Sequence, residues 1–245
     1  MIISAKTHIG KIRSSNQDAY ACGEFAPNVA WAAVCDGMGG AKAGNVASET
    51  AAKVISEKIK LGYREGMSDS TMKNLLVSAI EAANATVFSM AEKNEDFYGM
   101  GTTVVLAFVK EDELYIAHAG DSRIYSVSDA EIRQLTRDHS FVQMMIDNGE
   151  ITPEEAKIHP KKNVITRALG IEPEVLIDYA QETFNKGDTI LLCSDGLTNF
   201  VDDDKIKEIC NSSDKKTIAE TLVDLANENG GGDNVTVVAV SEQSE

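Results

Sequence analysis

Short apolar runs that begin or end at an Asp-Gly or Asp-Asn pair constrain the fold of this chain more than any other feature. Three such pairs occur: Asp36-Gly37 after residues 31–35, Asp195-Gly196 after residues 190–193, and Asp233-Asn234 before residues 235–240. Runs of this length favour buried strands. Carboxylates at the ends of several strands can converge on one point, and oxygen ligands favour hard cations such as Mg²⁺ or Mn²⁺.

The alternative to a metal site is a set of unrelated turns, because Asp-Gly is a common turn pair. Gly120-Asp121 adds a fourth aspartate next to a glycine, again beside a strand-like segment. One pair would carry little weight, but several at strand ends favour a carboxylate metal site. We therefore expect these turns to lie close together in the folded chain.

The composition fits one large domain and excludes several partners. The chain has 245 residues, 43% of them hydrophobic, which is enough for a sizeable core. Its formal net charge of -16 argues against nucleic acid and anionic membrane surfaces as partners. A phosphate site in so acidic a chain needs local positive charge, from metal ions or from a placed arginine.

The cysteines and the N-terminus indicate a reducing compartment. No C-x-x-C pair occurs among Cys22, Cys35, Cys193 and Cys210, so buried reduced thiols are expected. The first residues turn polar too soon for a signal peptide, and no apolar run reaches membrane-spanning length. We expect a cytoplasmic monomer with no membrane contact.

The apolar periodicity predicts short strands interrupted by two long amphipathic helices. The first helix follows from Ala47, Ala51, Ile55 and Ile59, and it should stop near Gly62. The second should be capped by Asp69 or Ser70. Strands are predicted at residues 2–8, 19–25, 29–35, 102–109, 114–119, 122–127, 131–135, 175–183, 188–193 and 235–240, and further helices at residues 203–210 and 215–227. Helices with one apolar stripe should cover the outer faces of two mostly antiparallel sheets.

Residues 138–167 do not follow this pattern of short strands and amphipathic helices. They contain two short helical patterns, at residues 141–148 and 153–158, separated by Gly149 and Pro153. Long excursions in compact domains often serve as lids or binding loops. An insertion without function is an equal alternative, and for Lys161 and Lys162 a solvated charge pair is favoured over a contact with substrate.

Several chemistries are excluded by missing motifs. No cysteine is followed by arginine at the C-x5-R spacing of cysteine phosphatases. The Gly39 and Gly44 spacing lacks the Lys-Ser/Thr of a Walker loop, and the dinucleotide fingerprint also fails. The histidines His8, His118, His139 and His159 are scattered along the chain and indicate no zinc site.

The remaining motifs resemble those of the metal-dependent protein phosphatases, the PPM or PP2C family. Residues 13–18 resemble its R-x-x-N-[QE]-D segment, and residues 36–40 resemble its D-G-M-G-G element. The other matches are Gly101-Thr102-Thr103, residues 120–123, residues 194–197 and residues 233–236. The resemblance covers essentially the whole chain, 1–245, in the family's order. The motif spacing and the chain length are similar to those of the bacterial single-domain branch, which opposes serine/threonine kinases.

This resemblance implies an α+β fold, a sandwich of two antiparallel β-sheets with α-helices on the outer faces, and a flap at residues 138–167. It implies a centre of two Mn²⁺ or Mg²⁺ ions and a weaker third ion. The expected metal groups are Asp36, which bridges both ions, the Gly37 carbonyl, Asp195, Asp233 and, for the third ion, Asp121. Asp18 is expected to hold metal-bound waters, and Arg13 to bind the substrate phosphate.

The implied activity is hydrolysis of phosphoserine and phosphothreonine in proteins by a hydroxide that bridges the ions, with Arg13, Asp18 and Asp36 as the catalytic residues. The chain departs from relatives at two positions. Animal members have histidine at the position of Met38, and many bacterial ones at that of Ala41, so a histidine general acid is not expected here.

A degenerate binding domain is the competing class, but the metal aspartates are kept. An ATP-using enzyme is the third class, and no nucleotide loop supports it.

Overall fold

The computed structural model describes residues 1–242, and for residues 40–42 it describes the backbone but not the side chains. The side chain of Ala41, one of the two positions discussed for a general acid, therefore lies outside the described part. Residues 243–245 of the predicted domain lie outside it as well. The strands are β1 (Ile2–His8), β2 (Asp18–Ala26), β3 (Val29–Met38), β4 (Gly101–Thr102), β5 (Val104–Lys110), β6 (Glu113–Ala119), β7 (Arg123–Val127), β8 (Ile132–Gln134), β9 (Asp178–Thr183), β10 (Thr189–Cys193) and β11 (Val235–Ser241).

These strands form two antiparallel sheets. The five-stranded sheet has the order β1-β11-β10-β7-β8, and the six-stranded sheet has the order β2-β3-β5-β6-β9 with β4 paired to β3. The helices are α1 (Gly40–Gly62), α2 (Asp69–Lys93), α3 (Phe141–Asp147), α4 (Pro153–Lys157), α5 (Asp195–Thr198), α6 (Asp203–Ser212) and α7 (Ile218–Glu228), with a short 3₁₀ turn at Glu95–Phe97.

Three hydrophobic layers hold the sandwich together. The first packs α1 and α2 on the six-stranded sheet, the second packs α5, α6 and α7 on the five-stranded sheet, and the third lies between the sheets. β3 serves two of these layers. Trp31 and Ala33 pack with the helices, whereas Ala32 and Val34 pack between the sheets. Burial on both faces explains the continuous apolar run of this strand, and the predicted sandwich is confirmed.

Some local predictions were wrong. The second long helix begins at Asp69 with Ser68 at the N-cap position, one or two positions before the predicted caps, and the Ser68 side chain makes no capping hydrogen bond. Asp36-Gly37 lies inside β3 rather than in a turn, and Asp195-Gly196 begins the unpredicted helix α5. In both places tertiary packing overrides the turn preference of the Asp-Gly pair.

The excursion at residues 138–167 contains α3 and α4. Its two ends pair with each other, because Ser140 and Ile165 form an antiparallel bridge and the Thr166 amide donates to the His139 carbonyl oxygen (2.8 Å). This pairing closes the base of residues 138–167, and the assignment of the excursion as a flap stays a prediction. Among the helices in residues 1–242, none is long and apolar enough to span a membrane.

Candidate active site

A cavity of about 530 Å³ opens at one end of the sandwich. β3 and β10 end at this edge, and β7 and β11 begin there. The cavity is lined by the predicted site residues Arg13, Asp36, Gly37, Asp121, Asp195 and Asp233. Asn163 and Ile165 of the excursion also line it. The fold thus brings together side chains that are up to 220 positions apart in the chain, as Arg13 and Asp233 are.

The remaining predicted residue, Asp18, is a neighbour of Asp36 in the sheet. The two aspartates are directly opposite each other on the paired strands β2 and β3. Asp18 is 7% exposed, and one of its carboxylate oxygens accepts a hydrogen bond from Ser194 Oγ (2.7 Å). Its other oxygen, Oδ1, is buried and has no hydrogen-bond partner among the described residues. Like charges opposite each other are destabilising, and a buried oxygen without a partner fits a bound cation or its water.

Crowding makes ionisation of this cluster costly. Burial, followed by the negative charge of neighbouring aspartates, raises the pKa of Asp36 well above its usual value. Burial also raises the pKa of Asp18 and of Asp121 to about 7 each, and the pKa of Asp195 to about 6. Carboxylates that repel one another in a cavity stay ionised at neutral pH when cations offset their charge. The donor set therefore fits divalent ions.

Two threonines hold the backbone of Asp36 in place. The Asp36 amide donates to Thr103 Oγ1 (3.0 Å), and the Asp36 carbonyl oxygen accepts from the Thr103 amide (2.8 Å) and from Thr102 Oγ1 (2.9 Å). Thr103 Oγ1 also contacts Ser122 Oγ at 2.7 Å. Gly120 permits this packing, because an added Cβ would lie 2.5 Å from Thr103 Cβ. The Gly-Thr-Thr and Gly-Asp-Ser motifs thus support the strand end that carries Asp36.

Gly37 is required for close packing beside this strand. A Cβ at this position would lie 2.1 Å from the Gly44 carbonyl oxygen and 2.6 Å from that of Gln17. The Gly37 amide donates to the Gln17 carbonyl oxygen (3.0 Å). Any larger residue would push α1 away from the loop before β2. The predicted role of the Gly37 carbonyl as a metal ligand stays a prediction.

Asp195 is connected to the excursion by a short chain of polar contacts. Asn199 Nδ2 donates to Asp195 Oδ2 (3.0 Å), and Lys162 Nζ donates to Asn199 Oδ1 (3.1 Å). Lys161 Nζ lies 4.9 Å from the centre of the Phe141 ring. Lys162 thus joins the excursion to the Asp195 helix by an exposed hydrogen bond, and the interpretation of the two lysines as a solvated charge pair stays a prediction. The sequence offered no signal for Asn199.

Arg13 lies at the mouth of the cavity and is 51% exposed at its side chain. Its Nη2 donates to Asp233 Oδ2 (2.8 Å), and this hydrogen bond is the main reason why its pKa is raised. Asn234 fixes the loop that carries Arg13. Its Nδ2 donates to the carbonyl oxygens of Ile9 (2.8 Å) and Ser15 (3.0 Å). The Asp-Asn pair therefore positions the arginine as well as a carboxylate.

Two of the scattered histidines meet outside the cavity. The rings of His118 and His139 stack at 4.7 Å, and Asp178 completes a trio whose potential ligand atoms lie within 4.8 Å of one another. Arg167 Nη1 already fills the position of a cation, at 3.0 Å from His139 Nε2 and 2.6 Å from Asp178 Oδ1. His139 Nδ1 accepts from the Gly120 amide (3.1 Å). This cluster therefore holds the Asp121 turn against the base of the excursion.

Comparison with known proteins agrees with this geometry. Residues 6–226 match the family model described as Protein phosphatase 2C. The serine/threonine phosphatase Stp of Listeria monocytogenes is 40% identical over 241 residues, which cover 96% of this chain and 93% of that protein. The structure of the serine/threonine phosphatase Stp1 from Staphylococcus aureus superposes with a TM-score of 0.92 at 35% identity, covering 100% of this chain and 96% of that one.

A third relative carries metal. The catalytic domain of the serine/threonine protein phosphatase PstP, in complex with two manganese ions, superposes with a TM-score of 0.84 at 35% identity, covering 97% of this chain and 96% of that one. A double-sheet sandwich with an acidic cavity at one end is the architecture of metal-dependent phosphatases. The chain belongs to the protein phosphatase 2C family, which confirms the resemblance seen in its motifs.

Proposed function

We propose that this chain hydrolyses phosphoserine and phosphothreonine in proteins, using divalent ions held in the acidic cavity. The observation that carries the proposal is the pair of buried Asp18 and partly exposed Asp36, which face each other across β2 and β3 and leave Asp18 Oδ1 without a partner among the described residues. Two opposed carboxylates, one of them buried, are costly to keep in a fold unless a cation offsets their charge.

Asp36, the Gly37 carbonyl, Asp195 and Asp233 would hold two ions, either Mn²⁺ or Mg²⁺, and Asp121 with Asp195 would hold a weaker third. These ligands are all oxygens, which suits both metals. When bound, such ions lower the pKa of water and offset the charge of a phosphoryl group. Family membership and a manganese-bound relative support this assignment.

The chain's own residues orient this chemistry. Ser194 holds one oxygen of Asp18, so that the free Oδ1 can accept a hydrogen bond from water. Arg13 can exchange its contact with Asp233 for the phosphate, and its planar guanidinium matches two phosphate oxygens. Met38 lines the cavity and has no proton to donate. Water in the cavity is therefore the proposed proton source for the leaving alkoxide.

The substrates would be phosphoproteins modified by a serine/threonine kinase, which this chain would oppose in the cytoplasm. The active form is proposed to be a monomer. The test is release of phosphate from para-nitrophenyl phosphate and from phosphothreonine peptides, with and without manganese. A non-catalytic binding domain of the same fold would bind phosphopeptide without turnover under any metal condition.

Arg13→Ala should weaken phosphosubstrate binding while the metal content stays close to that of the wild type. A charge-assisted contact of this kind contributes about 1.5–3 kcal/mol, or roughly a tenfold to hundredfold loss in kcat/KM. Steady-state kinetics and elemental analysis measure the two effects separately. Arg64→Ala, an exposed arginine at the end of α1, is the control. Loss of metal as large as that of Asp36→Asn would contradict the assigned role.

Asp121→Ala should leave the two main ions bound but lower turnover of phosphopeptides. Asp121 lies on the Gly120 turn that His139 holds, and a third ion there would order the cavity side next to the excursion. Metal counting combined with phosphopeptide kinetics measures both properties, and Asp224→Ala on α7 is a matched surface control. If the variant loses both main ions, Asp121 is one of their ligands. Full phosphopeptide activity would remove support for a third site.

A further inference from the structure

A second recess of about 320 Å³ lies next to the acidic cavity. Its lining is mainly apolar and includes Met38, Ile165, Ile171 and Leu176, together with Glu172 and Glu174. We call it the side groove. The volume is at the small end of ligand pockets, so it suits one or two side chains of a peptide. Leu176 is 73% exposed and Ile171 is 40% exposed, although both are large apolar residues.

The side groove is continuous with the acidic cavity. Met38 and Ile165 line both, so these two side chains form the boundary between them. Gly101 lets the apolar groups come together, because an added Cβ there would lie 2.9 Å from both Met38 Cε and Ile171 Cδ1. A chain whose phosphorylated side chain enters the acidic cavity therefore has its neighbouring residues beside the side groove.

The loop that forms the groove is held rigidly. Asn84 of α2 is 2% exposed, and its Oδ1 accepts from the Gly170 amide (2.8 Å). Its Nδ2 donates to the carbonyl oxygens of Glu172 and Pro173, at 3.1 Å each. Gly170 has a φ of 86° and its position lies against Val87, where a Cβ would be 2.4 Å from Cγ1. The groove is thus preformed, which lowers the entropic cost of binding a peptide.

The charge of the groove is negative. Glu172 and Glu174 are exposed carboxylates on its wall. Arg167 is the one basic residue among the described lining residues, and its guanidinium is already paired with Asp178. A ligand that places an apolar side chain in the groove therefore meets two uncompensated carboxylates beside it. Basic side chains are attracted to this wall, and acidic ones are repelled.

We propose that the side groove binds the segment of the phosphoprotein substrate next to the phosphorylated residue, and that it selects an apolar residue accompanied by a lysine or arginine. This assignment rests on the proposed function of the acidic cavity. It makes Ile171, Leu176, Glu172 and Glu174 specificity-determining residues. Para-nitrophenyl phosphate has no flanking residues, so its turnover does not depend on the groove.

The test measures KM and kcat of the manganese-loaded protein on a set of phosphothreonine peptides. The peptides differ only in their flanking residues, which are leucine with lysine, leucine with aspartate, or glycine alone. The wild type should prefer leucine with lysine. Leu176→Ser should raise the KM for that peptide roughly tenfold, as expected for one lost apolar contact. Its kcat and its turnover of para-nitrophenyl phosphate should not change.

Two controls separate the groove from general effects. Leu61→Ser changes a leucine of nearly the same exposure, 74%. It lies at the C-terminal end of α1, whereas the cavity is next to the N-terminal end of this helix. The double variant Glu172→Lys/Glu174→Lys should shift the preference towards aspartate-flanked peptides. Asp224→Lys/Glu228→Lys, an equal charge change on α7, should not.

The outcomes distinguish this inference from the proposed function. Equal KM values for all peptides with the wild type, or Leu176→Ser behaving like Leu61→Ser, would overturn the side groove while phosphatase activity remains. If the wild type releases no phosphate from any peptide or from para-nitrophenyl phosphate, the proposed function itself fails, and the groove assignment falls with it.

Discussion

Asp36→Asn should abolish the manganese-dependent activity, with phosphopeptide turnover lowered by at least roughly 10³-fold, or about 4 kcal/mol in activation free energy. Asp36 interacts with every other aspartate of the cluster. It faces Asp18 across the strands, and it is influenced by the charges of Asp195, Asp121 and Asp233. The amide keeps the shape of the carboxylate but removes its charge. Elemental analysis should show less than one bound ion per chain.

The same variant should be more stable than the wild type when metal is absent. In the metal-free protein, burial and the charges of the neighbouring aspartates raise the pKa of Asp36, so this group costs stability at every pH above its pKa in the unfolded chain. The cost grows as the pH rises towards the raised pKa of the folded state and is constant above it. The amide removes this penalty. Each kcal/mol relieved should raise the melting temperature by about 2–4 °C for a chain of this size. Added manganese should then produce no further shift.

Asp188→Asn is the control for this experiment. Asp188 is 7% exposed, like Asp18, but it lies in the turn before β10 and accepts a hydrogen bond from Asn185. It should not gain stability, and its metal content and activity should match those of the wild type. If Asp36→Asn keeps both ions and full turnover, or melts lower than the metal-free wild type, Asp36 is not the central ligand.

Removal of divalent ions should have the second largest effect. Chelator-treated protein should lose phosphatase activity completely, and manganese or magnesium should restore it. Because the ions bind the native cavity and not the unfolded chain, manganese at a hundredfold excess over its dissociation constant should stabilise the fold by about 2.7 kcal/mol. The corresponding rise in melting temperature is roughly 5–11 °C.

A titration of melting temperature against manganese concentration measures this stabilisation, and potassium chloride at equal ionic strength separates binding from screening. Turnover at the full rate in chelator would contradict a metal-dependent mechanism. An unchanged melting temperature across the titration, in a preparation that is active, would contradict binding of the ions to the folded cavity.

The sequence was sufficient to predict the sandwich, because the elements that build it have strong local patterns. β3 is apolar on consecutive residues because both of its faces are buried, and α2 shows a helical stripe with Met72, Leu76 and Ile80 against the sheet. Six ordered motifs supplied the family. The positions of the motifs along the chain then placed the acidic residues at one edge of the two sheets.

The sequence was not sufficient for contacts that depend on register and on distant packing. Asp18 and Asp36 face each other only because β2 and β3 pair in one register, and no local pattern encodes that pairing. Asn84 is an ordinary polar residue in the pattern of α2, yet it holds the loop of the side groove. His118 and His139 are 21 positions apart in the sequence but stack in the fold.

Release of inorganic phosphate from a phosphothreonine protein, compared between wild type and Asp36→Asn, with manganese and with chelator, shows whether the acidic cavity hydrolyses phosphoproteins through bound ions. We expect release by the wild type with manganese, and only background release in the other three conditions. Equal release by Asp36→Asn, or undiminished release by the wild type in chelator, would contradict metal-dependent hydrolysis in this cavity.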